Sequence, residues 1–218
     1  MSAAVTVFQL VGDRQDVFDG SVNGNTLTRK ANARVLPANA GVALDGGFLD
    51  LSRSHDLDSL DSFTVTATIT PKKVGGTRQN IIEGQTPSIA LFVEANGKLI
   101  GSIHTAAGWV TVDSGASLVQ ANVAQKVAFA RGSDGKTLLQ IDGKQVGAGS
   151  APGAIVPVGT AGFRIGCGMR AGNFGGQIFS EIPGSHPSYL MKGMPGSNFG
   201  SGRVMPSTSI KLLSAKRT

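Results

Sequence analysis

Phe63-Thr64-Val65-Thr66-Ala67-Thr68-Ile69-Thr70, closed by Pro71, is the stretch that decides the fold class. Apolar side chains stand at Phe63, Val65, Ala67 and Ile69, with a threonine after each. This period of two puts the apolar set on one face of a half-buried strand. Pro71 has no N–H to donate and ends the ladder. Working outward, similar short segments run from Asn80 to Glu83, Ser88 to Glu94, Lys98 to His104, Trp109 to Asp113, Gln125 to Arg131, Thr137 to Ile141, Lys144 to Val146 and Gly162 to Gly166. Asn96-Gly97, Asp134-Gly135 and Asp142-Gly143 stand between neighbouring segments. These dipeptides suit the positive φ angles of two-residue hairpins, so consecutive antiparallel pairing is expected. Many short strands without helical periodicity predict an all-β, two-layer antiparallel sandwich.

A chain of 218 residues buries a sizeable core as one such unit. The two ends read differently. Ala4 to Val11 is expected to be a strand, with Gly176 to Ile182 as the last strand lying beside it. Strand and loop signals compete from Asp13 to Pro37, and no element is assigned there. From Pro183 to Thr218 the sequence is rich in Gly, Ser and Pro and reads as an extended C-terminal arm, so the expected division is a sandwich over 1–182 and an arm over 183–218. The formal charge of +6 divides the same way. Up to Glu181 fifteen Lys and Arg face fourteen acids, whereas Lys192, Arg203, Lys211, Lys216 and Arg217 follow with no acid among them. Five charges so spread, almost without aromatics, make a weak nucleic-acid footprint, and no nucleic-acid partner is expected.

Cys167 is the single cysteine, so no intrachain disulfide can form. The opening residues carry no Lys or Arg before their short apolar run, and no signal peptide is read. Synthesis and folding in a reducing cytoplasm are the expectation. No stretch approaches the roughly 18 apolar residues of a spanning helix, so membrane insertion is not expected.

Five segments, in order, resemble the laminin-G-like or pentraxin-like branch of the concanavalin A-like lectin and glucanase superfamily. Ala43-Leu44-Asp45-Gly46-Gly47-Phe48-Leu49-Asp50-Leu51 looks like its early strand, before a short helical or irregular segment at Ser54 to Leu60. Phe63 to Pro71 looks like its central strand. Val127 to Arg131 with Asp134-Gly135, and Leu138 to Val146 around Asp142-Gly143-Lys144, resemble its hairpin. Phe163 to Gly166 and Phe174 to Ile178 resemble its closing pair. The resemblance covers about Val42 to Ile182 and implies a jelly-roll sandwich of about a dozen strands. It implies no function, because the fold carries lectins, glycosidases, receptor modules and spacers.

Candidate chemistry is sparse. A glycosidase of this fold needs two carboxylates flanking the bond. Glu83, Glu94 and Glu181 are the only glutamates, and none sits in a closely spaced acidic pair, so the chain reads as non-enzymatic. His55, His104 and His186 are scattered, without metal-ligand spacing. Cys167, between Gly166 and Gly168, reads as a packed thiol rather than a nucleophile. The resemblance implies calcium in some relatives, with Asp45, Asp56, Asp58, Asp61 and Asp113 as candidate oxygens. The run Asp56 to Asp61 also reads as a capped helical turn, and no metal or other cofactor is expected. Sugar recognition asks for an exposed ring with polar groups beside it; Trp109, His104 and Asp113 are the candidate ligand-binding residues, with Tyr189 as a second ring.

Two functions follow as expectations. The first is a structural or interaction module displayed on a multi-subunit particle, such as a head-decoration or tail-associated protein of a phage virion. Its arm, through Tyr189, Lys192, Arg203, Lys211, Lys216 and Arg217, would dock to neighbouring protein subunits. The alternative is a carbohydrate-binding module or adhesin that grips cell-surface glycans, and its mark would be an exposed Trp109.

Overall fold

The computed structural model describes residues 4–10, 17–19, 27–36, 41–51, 60–86, 88–158, 162–168, 174–179 and 211–215. Among them are seventeen strands and no helix, arranged as two antiparallel sheets. The first sheet is built around β7 (Ser62–Pro71), which pairs with β12 (Gln125–Arg131) along one edge. From β12 the sheet continues to β13 (Lys136–Ile141) and β14 (Lys144–Ser150). On the other edge of β7 lies β16 (Gly176–Phe179), followed by β5 (Val42–Ala43) and β4 (Arg34–Val35). The second sheet runs β11 (Gly108–Leu118), β10 (Lys98–Thr105), β9 (Ile89–Val93), β8 (Gln79–Gly84), β15 (Phe163–Ile165), β6 (Phe48–Leu51) and β3 (Leu27–Lys30).

The alternation read in Phe63 to Thr70 sets the packing. Phe63, Val65, Ala67 and Ile69 turn inward and meet Leu91, Leu99, Ile103 and Phe163 of the facing sheet in one continuous core. Phe63 and Phe129 pack edge to face with ring centroids 5.4 Å apart. The threonine face is less solvated than the alternation suggests: Thr66 and Thr68 are only 6% and 4% exposed. A central strand flanked on both sides has its short outward side chains covered by neighbouring residues. At one margin the edge strands of the two sheets meet. Gly147 and Gly149 of β14 lie against Val112 of β11, where a Cβ on Gly149 would stand 3.0 Å from a valine methyl.

Arg131, at the end of β12, is 5% exposed and ties three chain segments together. Its guanidinium donates from Nε and Nη2 to the Ala151 carbonyl at 3.0 and 2.8 Å, from Nη2 to the Gly153 carbonyl at 2.6 Å and from Nη1 to the Asp61 carbonyl. Burial pushes this guanidinium below its ordinary pKa.

Several boundaries differ from those read in the sequence. Ala43 to Leu51 is not one strand: Asp45 and Gly46 take positive φ angles of 33° and 87°, and the turn carries the chain from β5 in one sheet to β6 in the other. The expected closing pair is likewise divided, since β15 pairs with β6 and β8 while β16 pairs with β5 and β7. The segment left unassigned holds β2 (Val17–Asp19), β3 and β4. The first strand, β1 (Ala4–Leu10), does not lie beside β16. It pairs with β2 and with a strand from inside the expected arm, β17 (Lys211–Ala215), which itself pairs with β7. Within the expected arm the described residues, Lys211–Ala215, form a strand of the first sheet. Apart from Leu60, Ser54 to Leu60 lies outside the described residues.

Candidate functional site

The second sheet presents its outer face along the ladder between β10 and β11. In this register Trp109 lies opposite His104, Thr111 opposite Ser102, and Asp113 opposite Ile100. Alternation places Trp109, Thr111 and Asp113 on one side of β11, spread over about 13 Å at roughly 3.3 Å per residue. Trp109 is 52% exposed, and its ring stacks on the His104 imidazole with centroids 4.8 Å apart and planes inclined by 19°. Next along the ladder the Ser102 and Thr111 hydroxyls are 3.1 Å apart and hydrogen-bonded. Lys98 Nζ then reaches Asp113 Oδ2 at 3.3 Å.

The backbone beneath the aromatic pair is held from both sides. The His104 N–H donates to the Ser88 carbonyl at 2.7 Å, and the His104 carbonyl accepts from the Val156 N–H at 2.9 Å. The Ala106 N–H donates to the Ala154 carbonyl at 3.2 Å, and Thr105 bridges to Ile155. At the hairpin tip the Thr105 hydroxyl donates to the Gly108 carbonyl at 3.2 Å, while Gly108 supplies a φ of 115° that a side chain would oppose. A half-exposed indole is thus mounted on a rigid turn, with one ring face covered by His104.

Farther across the same outer face lies a ladder of charges that sequence reading missed. Arg164 Nε donates to Asp50 Oδ1 at 3.1 Å, and Arg78 Nη2 to Glu83 Oε2 at 3.3 Å. The Arg78 guanidinium also covers the Phe92 ring, 3.5 Å from its centroid. Asp50 and Glu83 both stand opposite Arg164 in the register, on the strands either side of it. Asp50 and Arg164 are 114 residues apart in sequence, and only the strand order β6-β15-β8 brings them together. Each carboxylate already engages an arginine, which makes the row a charge ladder rather than an open acid and base.

Of the predicted site residues, Trp109 and His104 come together as a stacked pair, and Asp113 shares their face two ladder pairs away. The Gly115 N–H at 2.7 Å, followed by Lys98, holds the Asp113 carboxyl below its ordinary range. Asp45, a calcium candidate, instead sits between Lys72 Nζ at 2.5 Å and Arg34 Nη2 at 3.4 Å. The Lys72 hydrogen bond chiefly lowers its carboxyl pKa. Among the described residues no three His, Cys, Asp or Glu side chains gather as a metal site. Cys167 is buried, its thiol donates to the Gly168 carbonyl at 3.1 Å, and burial pushes the thiol pKa up. His55, Asp56, Asp58, Glu181, His186, Tyr189, Lys192, Arg203, Lys216 and Arg217 lie outside the described residues, and Lys211 opens β17.

The family model of the concanavalin A-like lectin/glucanases superfamily, Laminin G type, matches residues 45–179, more than half of the chain. The chain belongs to this superfamily. No curated protein sequence matches it significantly. Its fold is similar to that of the botulinum neurotoxin serotype D ligand binding domain, solved in complex with N-acetylneuraminic acid. That likeness has a TM-score of 0.66 and 11% identity, covering 99% of this chain and 48% of that one. The binding domain of botulinum neurotoxin DC in complex with SialylT gives a TM-score of 0.59 and 12% identity over 83% of this chain and 44% of that one. The binding domain of Paraclostridial Mosquitocidal Protein 1 gives 0.58 and 12% over 74% and 47%. At such identities the likeness establishes a shared concanavalin A-like jelly roll. The chain spans about half the length of the toxin domains it matches.

Proposed function

We propose that this superfamily member is a non-enzymatic, lectin-like module that binds glycans on the outer face of the β10–β11 ladder. The observation that carries the proposal is the half-exposed Trp109, stacked on His104 and fixed on a rigid hairpin. An indole so placed offers its free face to the C–H surface of a sugar ring at little conformational cost. The neighbouring Ser102 and Thr111 hydroxyls and the Lys98–Asp113 pair supply donors and acceptors for sugar hydroxyls within one ladder. The toxin domains of like fold were solved with N-acetylneuraminic acid and with SialylT, which makes sialylated oligosaccharides the first probes and neutral ones the comparison.

The test is a glycan array followed by titration calorimetry with the full chain and with Trp109→Ala. Loss of the exposed ring is expected to weaken binding about tenfold or more, equivalent to about 1.4 kcal/mol. Thermal stability should change little, because half of the indole already faces solvent. A variant that binds as tightly as the unmodified chain would remove the ladder as the site. A chain that binds no glycan at all would remove the function.

Display on a multi-subunit particle such as a phage virion is the second reading, with the C-terminal arm docking to neighbouring subunits. What bears on it is that β17, from within that arm, pairs with β7 of its own chain, so docking to a neighbour requires the neighbour's β7 to take up that strand. Native mass spectrometry of the full chain tests this role, and a monomer at every concentration counts against it.

A further inference from the structure

We infer that the Ser62–Thr66 edge of β7 is a strand-acceptor slot that β17 of a second copy of this chain can fill, linking subunits by strand exchange. The inference rests on the register of the first sheet and is independent of the glycan site. Along one edge of β7, β16 places Gly176 to Phe179 opposite Pro71 to Thr68. Along the same strand, β17 places Lys211 to Ala215 opposite Thr66 to Ser62. Both run antiparallel to β7, so they lie end to end, in one direction, with only Ala67 between their partners. A direct continuation of β16 would put Ser180 opposite Ala67 and Glu181 opposite Thr66. The chain instead spends 31 residues, 180 to 210, before β17 takes up that track.

Those 31 residues join points only about 6.7 Å apart along β7, two residues of strand rise. Of the 28 residues from Pro183 to Ile210, fifteen are Gly, Ser or Pro: five, six and four respectively. Thirty-one residues can span at most about 100 Å, many times the distance to their own slot and enough to reach a neighbour's. Without β17, the Ser62–Thr66 edge would leave a row of unpaired N–H and C=O groups inside the sheet, a template for any strand of matching sequence. The nearest supply of that sequence is another copy of the chain. β1 adds to the linkage, because among the described residues its ladders run to β17 and β2, so an exchanged β17 would also carry the partner's first strand. Intrachain docking competes at an effective concentration of about millimolar, and exchange therefore prevails where copies are crowded or held side by side.

The test uses full-length chains in a Cys167→Ala background, one carrying Thr64→Cys and the other Leu213→Cys, a directly opposed pair in the ladder. They are unfolded, mixed and refolded together at about 10 μM to 1 mM, a range that reaches the effective concentration of the intrachain strand. After oxidation, intact mass is read without reductant. A disulfide-linked heterodimer whose yield rises with concentration is expected. Replacing Thr64→Cys by Lys144→Cys, on the exposed β14, should abolish it. Deleting residues 181–210 provides a second, cysteine-free variant. It joins Ser180 to Lys211 in the existing register, and is expected to give a folded monomer whose β17 can no longer leave for a neighbour. The absence of heterodimer at the highest concentration, while a Thr64→Cys/Leu213→Cys chain closes on itself, would overturn the inference. A deletion chain that fails to fold would overturn the register on which it stands.

Discussion

At Gly101 the core leaves no room for a side chain, and filling it tests the sandwich packing directly. It lies in β10 between Leu91 of β9 and Val112 of β11, with its missing side chain aimed at the facing sheet. A Cβ there would stand 2.7 Å from Cγ of Phe129, with Cδ2 and Cε2 nearer still. Ordinary carbon contacts need about 3.5–4.0 Å, so the ring would have to retreat by more than about 1 Å. Phe129 is fully buried and braced edge-on by Phe63, so the retreat would propagate into β7. Overpacking of this kind costs about 1–3 kcal/mol, with the upper end expected for a braced ring. Alanine recovers about 0.5–1 kcal/mol of backbone entropy relative to glycine. The net expectation for Gly101→Ala is a destabilisation of about 2 kcal/mol in urea unfolding followed by far-ultraviolet circular dichroism, with an unchanged denaturant slope. Phe129→Leu, destabilising alone, should absorb the added methyl. The double variant should therefore be more stable than the sum of the single effects by about 1 kcal/mol or more. A Gly101→Ala chain as stable as the unmodified one, or strict additivity with Phe129→Leu, would refute the packing argument.

Arg131→Met strips the donors from the Ala151, Gly153 and Asp61 carbonyls and should cost about 3 kcal/mol in the same unfolding assay. Arg131→Lys keeps the charge but not the planar fork, and should recover less than half of that loss. Asp45 accounts for part of the acid response. Its folded pKa lies below the ordinary value of about 3.8 because of Lys72 and Arg34. Its contribution is therefore fully present above that ordinary value and is lost as pH falls through the lowered folded one. Asp45→Asn should accordingly be less stable than the unmodified chain at neutral pH, and the two melting curves should converge below about pH 3.8. A constant difference down to pH 2 would show that the ion pairs are not the cause.

Legibility followed the range of the interactions. Alternation in Phe63 to Thr70 and the Asn-Gly and Asp-Gly turns identified strands and hairpins because side-chain direction and turn geometry depend on near neighbours in the chain. The break inside Ala43 to Leu51 was less visible, although Asp45-Gly46 is itself a turn signal, because both halves are apolar and either sheet could receive them. The exposure of Trp109 was equally undetermined. The same alternating segment would bury it if a loop crossed β11, and the register with His104 is a property of two strands rather than one.

The sequence by itself determined that this protein is an all-β sandwich with a near-neutral body and cationic C-terminal residues, because composition, period and turn chemistry are local quantities. Tertiary structure alone decided how the hairpins and the remaining strands are ordered within the two sheets. It brought Asp50 to Arg164 across 114 residues, left Trp109 half-exposed on the outer face of the second sheet, and set Lys211–Ala215 against β7. Backbone hydrogen bonds between strands carry almost no residue identity, so pairing over long separations is settled by how the whole core closes and not by any one segment.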